Sequence, residues 1–402
     1  MKGTTITRVS TLRSALQPNL LWVEIEDADG AVGLGETFSL AETVESYIHE
    51  GAADYLLGKD GGDIAGHWTT LFRQRGRSGI GAETRGAAAI DIALWDLLGH
   101  RTGLPLWQLL GGRSRERIRV YNTCGGPNYV RAAAVAGRQY TGDFVRDRYD
   151  DLWGFMNEPE RLAESLLAEG VRHMKIWPLD DISVVNQGLH ISAAELRTAL
   201  APLARIHKAF EGEMEVALEM HGRWTVPVAS KIARAAEPYQ PMWIEDPVKL
   251  DNLRAIDEVC RATTIPVLVG ETQGSRYPYR EILERTGVGI IMSDPCWTGG
   301  VTELRRIADL AATYQRAFTP HDCTGPIGLA AGAHVALHAE TAIFQEFVRA
   351  FYHGWYREVS EGLPVIENGW LSAADRPGHG VTIPDEVRKR AEWSTRTSRK
   401  GA

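Results

Sequence analysis

Glu219, Glu245 and Glu271 recur at intervals of 26 residues, and each follows a short apolar run of the kind that forms a buried strand. One strand-plus-helix unit fills each interval, so the three carboxylates converge at one end of a parallel sheet. Carboxylates brought within a few ångströms repel one another, and burying them without a counter-charge drives protonation or costs several kcal/mol. A divalent cation resolves the conflict. An all-oxygen set suits Mg²⁺, which takes about six ligands and so leaves positions for substrate oxygens, whereas zinc would prefer His or Cys.

Further ionisable residues close the neighbouring runs: Lys175 before the triad, Asp294, His321 and Glu346 after it. Asp294 accepting a hydrogen bond from one ring nitrogen of His321 would fix its tautomer and raise its basicity, leaving the other nitrogen as a general base. His221 lies two residues past Glu219 in Glu219-Met220-His221-Gly222-Arg223, so strand alternation turns it to the same face as a second acid or base. Lys175 follows from charge. Three carboxylates and a divalent cation carry a net negative charge, and a substrate carboxylate that enolises adds more, so an ammonium is needed there as an electrophilic partner rather than a base. Trp177 and Arg223 are candidate substrate-binding walls. His334 and His338, four apart without an H-E-x-x-H pattern, read as helix surface.

The elements that would position these groups follow from periodicity. Residues up to about 115 read as α+β, with a hairpin over Leu20–Glu26 and Ala31–Glu36 about an Asp29-Gly30 turn, then a helix over Ala87–Gly99. From Arg119 eight apolar runs alternate with amphipathic helices: Arg119–Asn122, His173–Trp177, Glu215–Glu219, Met242–Glu245, Pro266–Gly270, Gly289–Asp294, Arg316–Pro320 and Thr341–Glu346. That rhythm predicts an α/β fold, a closed (β/α)₈ TIM barrel. The connection 125–158 is long for a βα loop and rich in aromatics, which fits a lid or an interface element.

The chain has 402 residues, with 44 Lys and Arg against 52 Asp and Glu, a formal net charge of −8, which excludes a nucleic-acid binder held by bulk charge. Only Arg388–Lys400 leans basic, and it reads as a polar tail. No apolar window is long enough for a membrane span and no secretion pattern opens the chain, so a cytoplasmic protein is expected. Four dispersed cysteines without a C-x-x-C pair argue against a zinc knuckle or a disulfide framework.

Gly33-Leu34-Gly35-Glu36, the Ala89–Asp96 helix segment, Leu109-Leu110-Gly111-Gly112, Trp243-Ile244-Glu245-Asp246-Pro247, Gly270-Glu271, Gly299-Gly300-Val301-Thr302, Pro320-His321 and Gln345-Glu346 together resemble the enolase superfamily, mandelate racemase subgroup. Within it, the segment around His221 is similar to that of galactonate-dehydratase-like acid sugar dehydratases. The resemblance implies a modified barrel (118–350) beneath an α+β capping domain (1–117) on which the C-terminal segment (351–402) packs. It also implies Mg²⁺-assisted removal of a proton α to a carboxylate, with a Lys or His base. Carried over by residue, His321 with Asp294 is the base, His221 the acid that protonates the departing hydroxyl, and Glu346 a hydrogen-bonding partner near the substrate carboxylate. Relatives are often homo-oligomers.

Two departures stand out: Glu219 replaces the Asp of those dehydratases, and Lys175-Ile176-Trp177 lacks the second lysine of the racemases' Lys-x-Lys. The expected activity is therefore a hydro-lyase, removing water from an acid sugar to give a 2-keto-3-deoxy acid. An epimerase or cycloisomerase of an acid sugar is the alternative, and D₂O incubation separates them. A non-catalytic sugar-acid binder would have lost a base or a ligand, and a barrel metallohydrolase would carry His-x-His.

Overall fold

The structure, a computed structural model of the chain, describes residues 4–75, 81–129 and 149–400. The aromatic-bearing connection read as a lid or interface element falls mostly within 130–148, outside the described residues.

The N-terminal part opens with an antiparallel meander, β1 (Ile6–Ser14), β2 (Gln17–Asp27) and β3 (Val32–Phe38). At the β2–β3 turn Asp27 Oδ1 accepts from the amides of Asp29 and Ala31, and Gly30 takes the left-handed conformation (φ 84°). Strand β1 is an addition to the hairpin expected from the sequence. Across this sheet lies the helix Ala82–Thr102, longer than the Ala87–Gly99 expected and buried on most sides, because it is wedged between the sheet and the barrel. Gly33 and Gly35 are needed for that wedge: a Cβ would fall 2.0 Å from Ala93 O and 1.9 Å from Ala89 O. On the helix's other side the buried Asp91 accepts from the Thr302 amide (2.9 Å) and hydroxyl (2.6 Å) of a barrel helix.

Eight parallel strands make the barrel: β4 (Ile118–Thr123), β5 (His173–Ile176), β6 (Glu215–Glu219), β7 (Ile244–Glu245), β8 (Val267–Val269), β9 (Ile290–Ser293), β10 (Ala317–Pro320) and β11 (Gln345–Phe347). Each pairs with the next from β4 to β10, β11 returns to β4, and a Phe318–Ala342 bridge completes the circle. The strands are buried on both faces, as parallel sheets are. Strand residues Tyr121, Ala217, Leu268, Ile290 and Met292, with Trp243 just before β7, form a separate cluster that plugs the barrel. This leaves the C-terminal rim to the ionisable groups.

Two expectations are corrected. His334 is not helix surface: the Pro326–His338 helix is apolar nearly all round, so it is enclosed, with His334 fully buried and accepting from the Trp107 amide at Nδ1, while His338 at its end is half-buried. His338 Nδ1 bonds Gly112 O. Nor is the basic C-terminal stretch a loose tail. After β12 (Val365–Glu367) and β13 (Trp370–Ser372), which attach to β4, residues Trp393–Arg399 form β14 and pair along β1. Residues 351–400 thus serve both barrel and cap. Trp393 stacks on the fully buried Trp22 at 4.6 Å. Trp393→Ala is expected to lower stability by about 1–2 kcal/mol, read as a fall in midpoint on thermal or urea unfolding. Among the described residues no helix is long and apolar enough to cross a membrane.

Candidate active site

The C-terminal rim brings Glu219, Glu245 and Glu271 together, with one carboxylate oxygen of each within 4.8 Å of the others. Glu219 ends β6, Glu245 ends β7, and Glu271 sits two residues past β8 in the turn that follows. Glu219 Oε1 accepts from the amides of Met220 (2.9 Å) and His221 (2.6 Å). That fold-back is possible because His221 and Gly222 both adopt left-handed conformations (φ 50° and 62°). Trp243 Nε1 donates to Glu245 Oε2 at 2.9 Å.

Lys175 answers only part of this charge. Its Nζ lies 2.5 Å from Glu245 Oε1, 2.9 Å from Glu346 Oε1 and 3.4 Å from Glu219 Oε2. Burial works against its charge, but Glu245 and Glu346 outweigh it and hold the ammonium well above its usual range. Burial pushes Glu219 up to about 7 and Glu245 well above the carboxylate range. Apart from the 3.4 Å ion pair with Lys175, Glu219 Oε2 is buried with no hydrogen-bond partner. An unsatisfied buried oxygen, facing two further carboxylates, is what a hard divalent cation would complete, so the residues present fit one.

His321 follows β10, and its Nδ1 is 2.6 Å from Asp294 Oδ2. Asp294 in turn caps the short helix Pro295–Thr298, accepting from the Cys296 amide at 2.7 Å. His321 Nε2 lies 3.3 Å from Glu271 Oε2 and 3.9 Å from Glu346 Oε2. Burial opposes its charge, yet Glu346 and Glu271 with Asp294 lift His321 to about 10. Glu346 goes the other way: Lys175 and His321 outweigh its burial and keep it low. Its remaining partners are the Thr123 hydroxyl and the Asp322 amide (3.0 Å).

Facing this dyad is a second one that sequence reasoning did not find. His221 Nδ1 lies 2.9 Å from Asp180 Oδ2, and Asp180 is buried at the start of a short helix after β5. Its position just past the Lys175 rim was the available signal. A cavity of about 190 Å³ joins the two dyads, lined by Thr123, Lys175, Trp177, His221, Glu271, His321 and Cys323, with Phe38 and Ser39 from the cap. Tyr129, one of the aromatics of the 125–158 connection, and Trp297, which was not anticipated, complete its aromatic wall. Arg223 is not among the lining residues; its Nε turns to Asp180, 3.5 Å away. The rim therefore offers a carboxylate set that could hold a cation, an ammonium and two Asp-backed imidazoles around one small cavity.

Known proteins resemble the chain over nearly its whole length. Residues 5–111 match the family model of the mandelate racemase / muconate lactonizing enzyme N-terminal domain, and residues 158–387 that of the enolase C-terminal domain-like family. The chain is similar to a D-galactonate dehydratase of Ralstonia nicotianae, 32% identical over 95% of this chain and 93% of the relative. One of Variovorax paradoxus is 31% identical over 95% and 92%. Among solved structures, an enolase protein from Sargasso Sea environmental sequencing superposes with a TM-score of 0.88 at 39% identity, covering 99% of this chain and 100% of that one. A mandelate racemase subgroup enolase from Agrobacterium tumefaciens gives 0.87 at 37%, covering 98% and 99%.

Proposed function

Since the chain belongs to the enolase superfamily, in its mandelate racemase and muconate lactonizing enzyme family, we propose that it is a Mg²⁺-dependent acid sugar dehydratase. It takes the proton α to a carboxylate, eliminates the β-hydroxyl and releases a 2-keto-3-deoxy acid. The observation that carries this is the pair of Asp-backed histidines, His321–Asp294 at 2.6 Å and His221–Asp180 at 2.9 Å, opening on one cavity beside three glutamates. Elimination of water needs one base and one acid, and a dyad is present for each.

Glu219, Glu245 and Glu271 would hold the cation, which when bound supplies positive charge against the carboxylate of the substrate. Lys175, already an ammonium, faces the same carboxylate and moderates the second charge that grows as the α-proton leaves. His321 Nε2 is free to take that proton once a cation held on Glu271 offsets one of the carboxylates that lift it, with Asp294 fixing the ring through Nδ1 and balancing the imidazolium. His221, anchored by Asp180, gives its Nε2 proton to the departing hydroxyl. Trp177, fully buried, occupies the place of a second lysine and supplies no opposite base, which weighs against racemisation. Trp177, Tyr129 and Trp297 give the substrate chain apolar walls.

The test is a panel of acid sugars with Mg²⁺, assayed for 2-keto-3-deoxy acids, with D-galactonate tried first because similar proteins carry that name. In D₂O, recovered substrate bearing deuterium at C2 with inverted configuration and no keto acid would replace the dehydratase by an epimerase. His221→Gln is expected to slow keto-acid release by about 10²-fold or more while deuterium still enters C2, because only the hydroxyl's proton donor is lost.

A further inference from the structure

Strand β3 of the cap ends against both loops that carry the His321–Asp294 dyad. Glu36 is fully buried there, accepting from Trp22 Nε1 at 2.6 Å within the cap and from the Gly328 amide at 2.9 Å in the barrel. The Ile327 amide points at it from 3.4 Å. Those amides open the thirteen-residue Pro326–His338 helix, whose first turn begins five residues after His321. A carboxylate at a helix start is favoured by the unpaired amides and the helix dipole, and here another domain delivers it. Burial lifts Glu36 to about 7, while the Gly328, Trp22 and Ile327 N–H groups act to lower it. Gly325 makes room for it, since a Cβ there would stand 2.4 Å from Glu36 Oε1.

The next residue grips the other loop. The buried Thr37 donates from Oγ1 to Cys296 O at 2.9 Å, and the Cys296 amide donates to Asp294. Cys296 Sγ in turn receives the Thr324 hydroxyl at 3.8 Å, tying the two loops to each other. Neither Glu36 nor Thr37 lines the cavity, so neither touches substrate.

We infer that Glu36 and Thr37 are positioning residues that hold the His321 and Asp294 loops in register from the capping domain, so that the base is aligned only when the cap is docked. This rests on the reading of His321 as the base. Each residue acts on a different member of the dyad: Glu36 through the helix start behind His321, Thr37 through the turn capped by Asp294. A splint of two points fixes both the separation and the rotation of the pair, which one contact would not.

The proton between His321 Nδ1 and Asp294 is buried and held in a short bond, so it gives a downfield ring N–H resonance, assigned by its loss in His321→Asn. In Thr37→Val and in Glu36→Gln, each checked for folding by circular dichroism, that resonance is expected to move upfield or vanish into exchange. Thr37→Ser, which keeps the hydroxyl, is expected to restore it. An unmoved resonance in both variants overturns the positioning role, while the base reading stands on the activity of His321→Asn. Full turnover by His321→Asn, or no such resonance in the wild type, overturns the dyad and the inference with it. A fall in melting temperature with an unmoved resonance counts against the inference, since it marks a structural role only.

Discussion

Replacing His321 by Asn is expected to lower kcat by 10²–10⁴-fold, about what a positioned general base contributes. Asparagine is the informative choice because its amide can donate to Asp294 from nearly the place of Nδ1, so the loop keeps its anchor while the second nitrogen disappears. Substrate binding should change little, since the cavity retains Lys175, the glutamates and the aromatic walls. Incorporation of deuterium at C2 in D₂O should fall in step with turnover. A variant that still exchanged that proton at the wild-type rate would remove His321 from the reaction and leave the Asp294 pairing a structural contact.

The second large effect belongs to the carboxylate set. In metal-free protein Glu219 is pushed up to about 7 from 4.5, chiefly by burial. A carboxyl held up in the folded state supports folding fully below its unfolded value near 4.5 and loses that support as pH rises through about 7. Metal-free wild type should therefore weaken over that window, and Glu219→Gln should weaken less, its remaining slope coming from Glu245 and the other buried carboxyls. At pH 8 the chelated variant is expected to be more stable than chelated wild type by on the order of 1–2 kcal/mol, the gain reduced by the amide group set beside Lys175. Mg²⁺ reverses the order: at a hundred times its Kd it adds about 2.7 kcal/mol to the wild type, and little to a variant that has exchanged a charged ligand for a neutral one. Turnover of the variant should be lost at the same Mg²⁺ concentration. Equal Mg²⁺-induced shifts in the melting temperatures of the two proteins would place the cation elsewhere.

What the sequence disclosed, and what it withheld, follows from how each group is positioned. Glu219, Glu245, Asp294 and His321 are set by strand ends, and a parallel barrel repeats its strand ends at regular intervals, so spacing alone assembles them on paper. Asp180 escaped because it opens a helix beyond the strand, where no period predicts which residue turns back to the rim. Glu36 and Thr37 escaped for a different reason: their partners lie 292 and 259 residues away, and only docking of the cap reveals them. His334 was misread because an i, i+4 pair of polar residues suggests an outer face, yet the surrounding Gly-Leu-Ala-Ala-Gly-Ala run is apolar on every side and reads, in hindsight, as an enclosed helix. Strand β14 hid behind its charge, since alternation with serine and threonine suits an edge strand as well as a free end.

Pairing β14 with β1 has a consequence for biosynthesis. Ser10 and Thr397 meet across 387 residues, so the cap sheet lacks its outer strand until nearly everything between them has left the ribosome. Contacts that distant form late, after the barrel's sequential units have had time to assemble. A fusion partner or degradation signal placed just beyond residue 399 would thus be felt first in the cap, far along the sequence from the glutamates and histidines whose setting the cap completes.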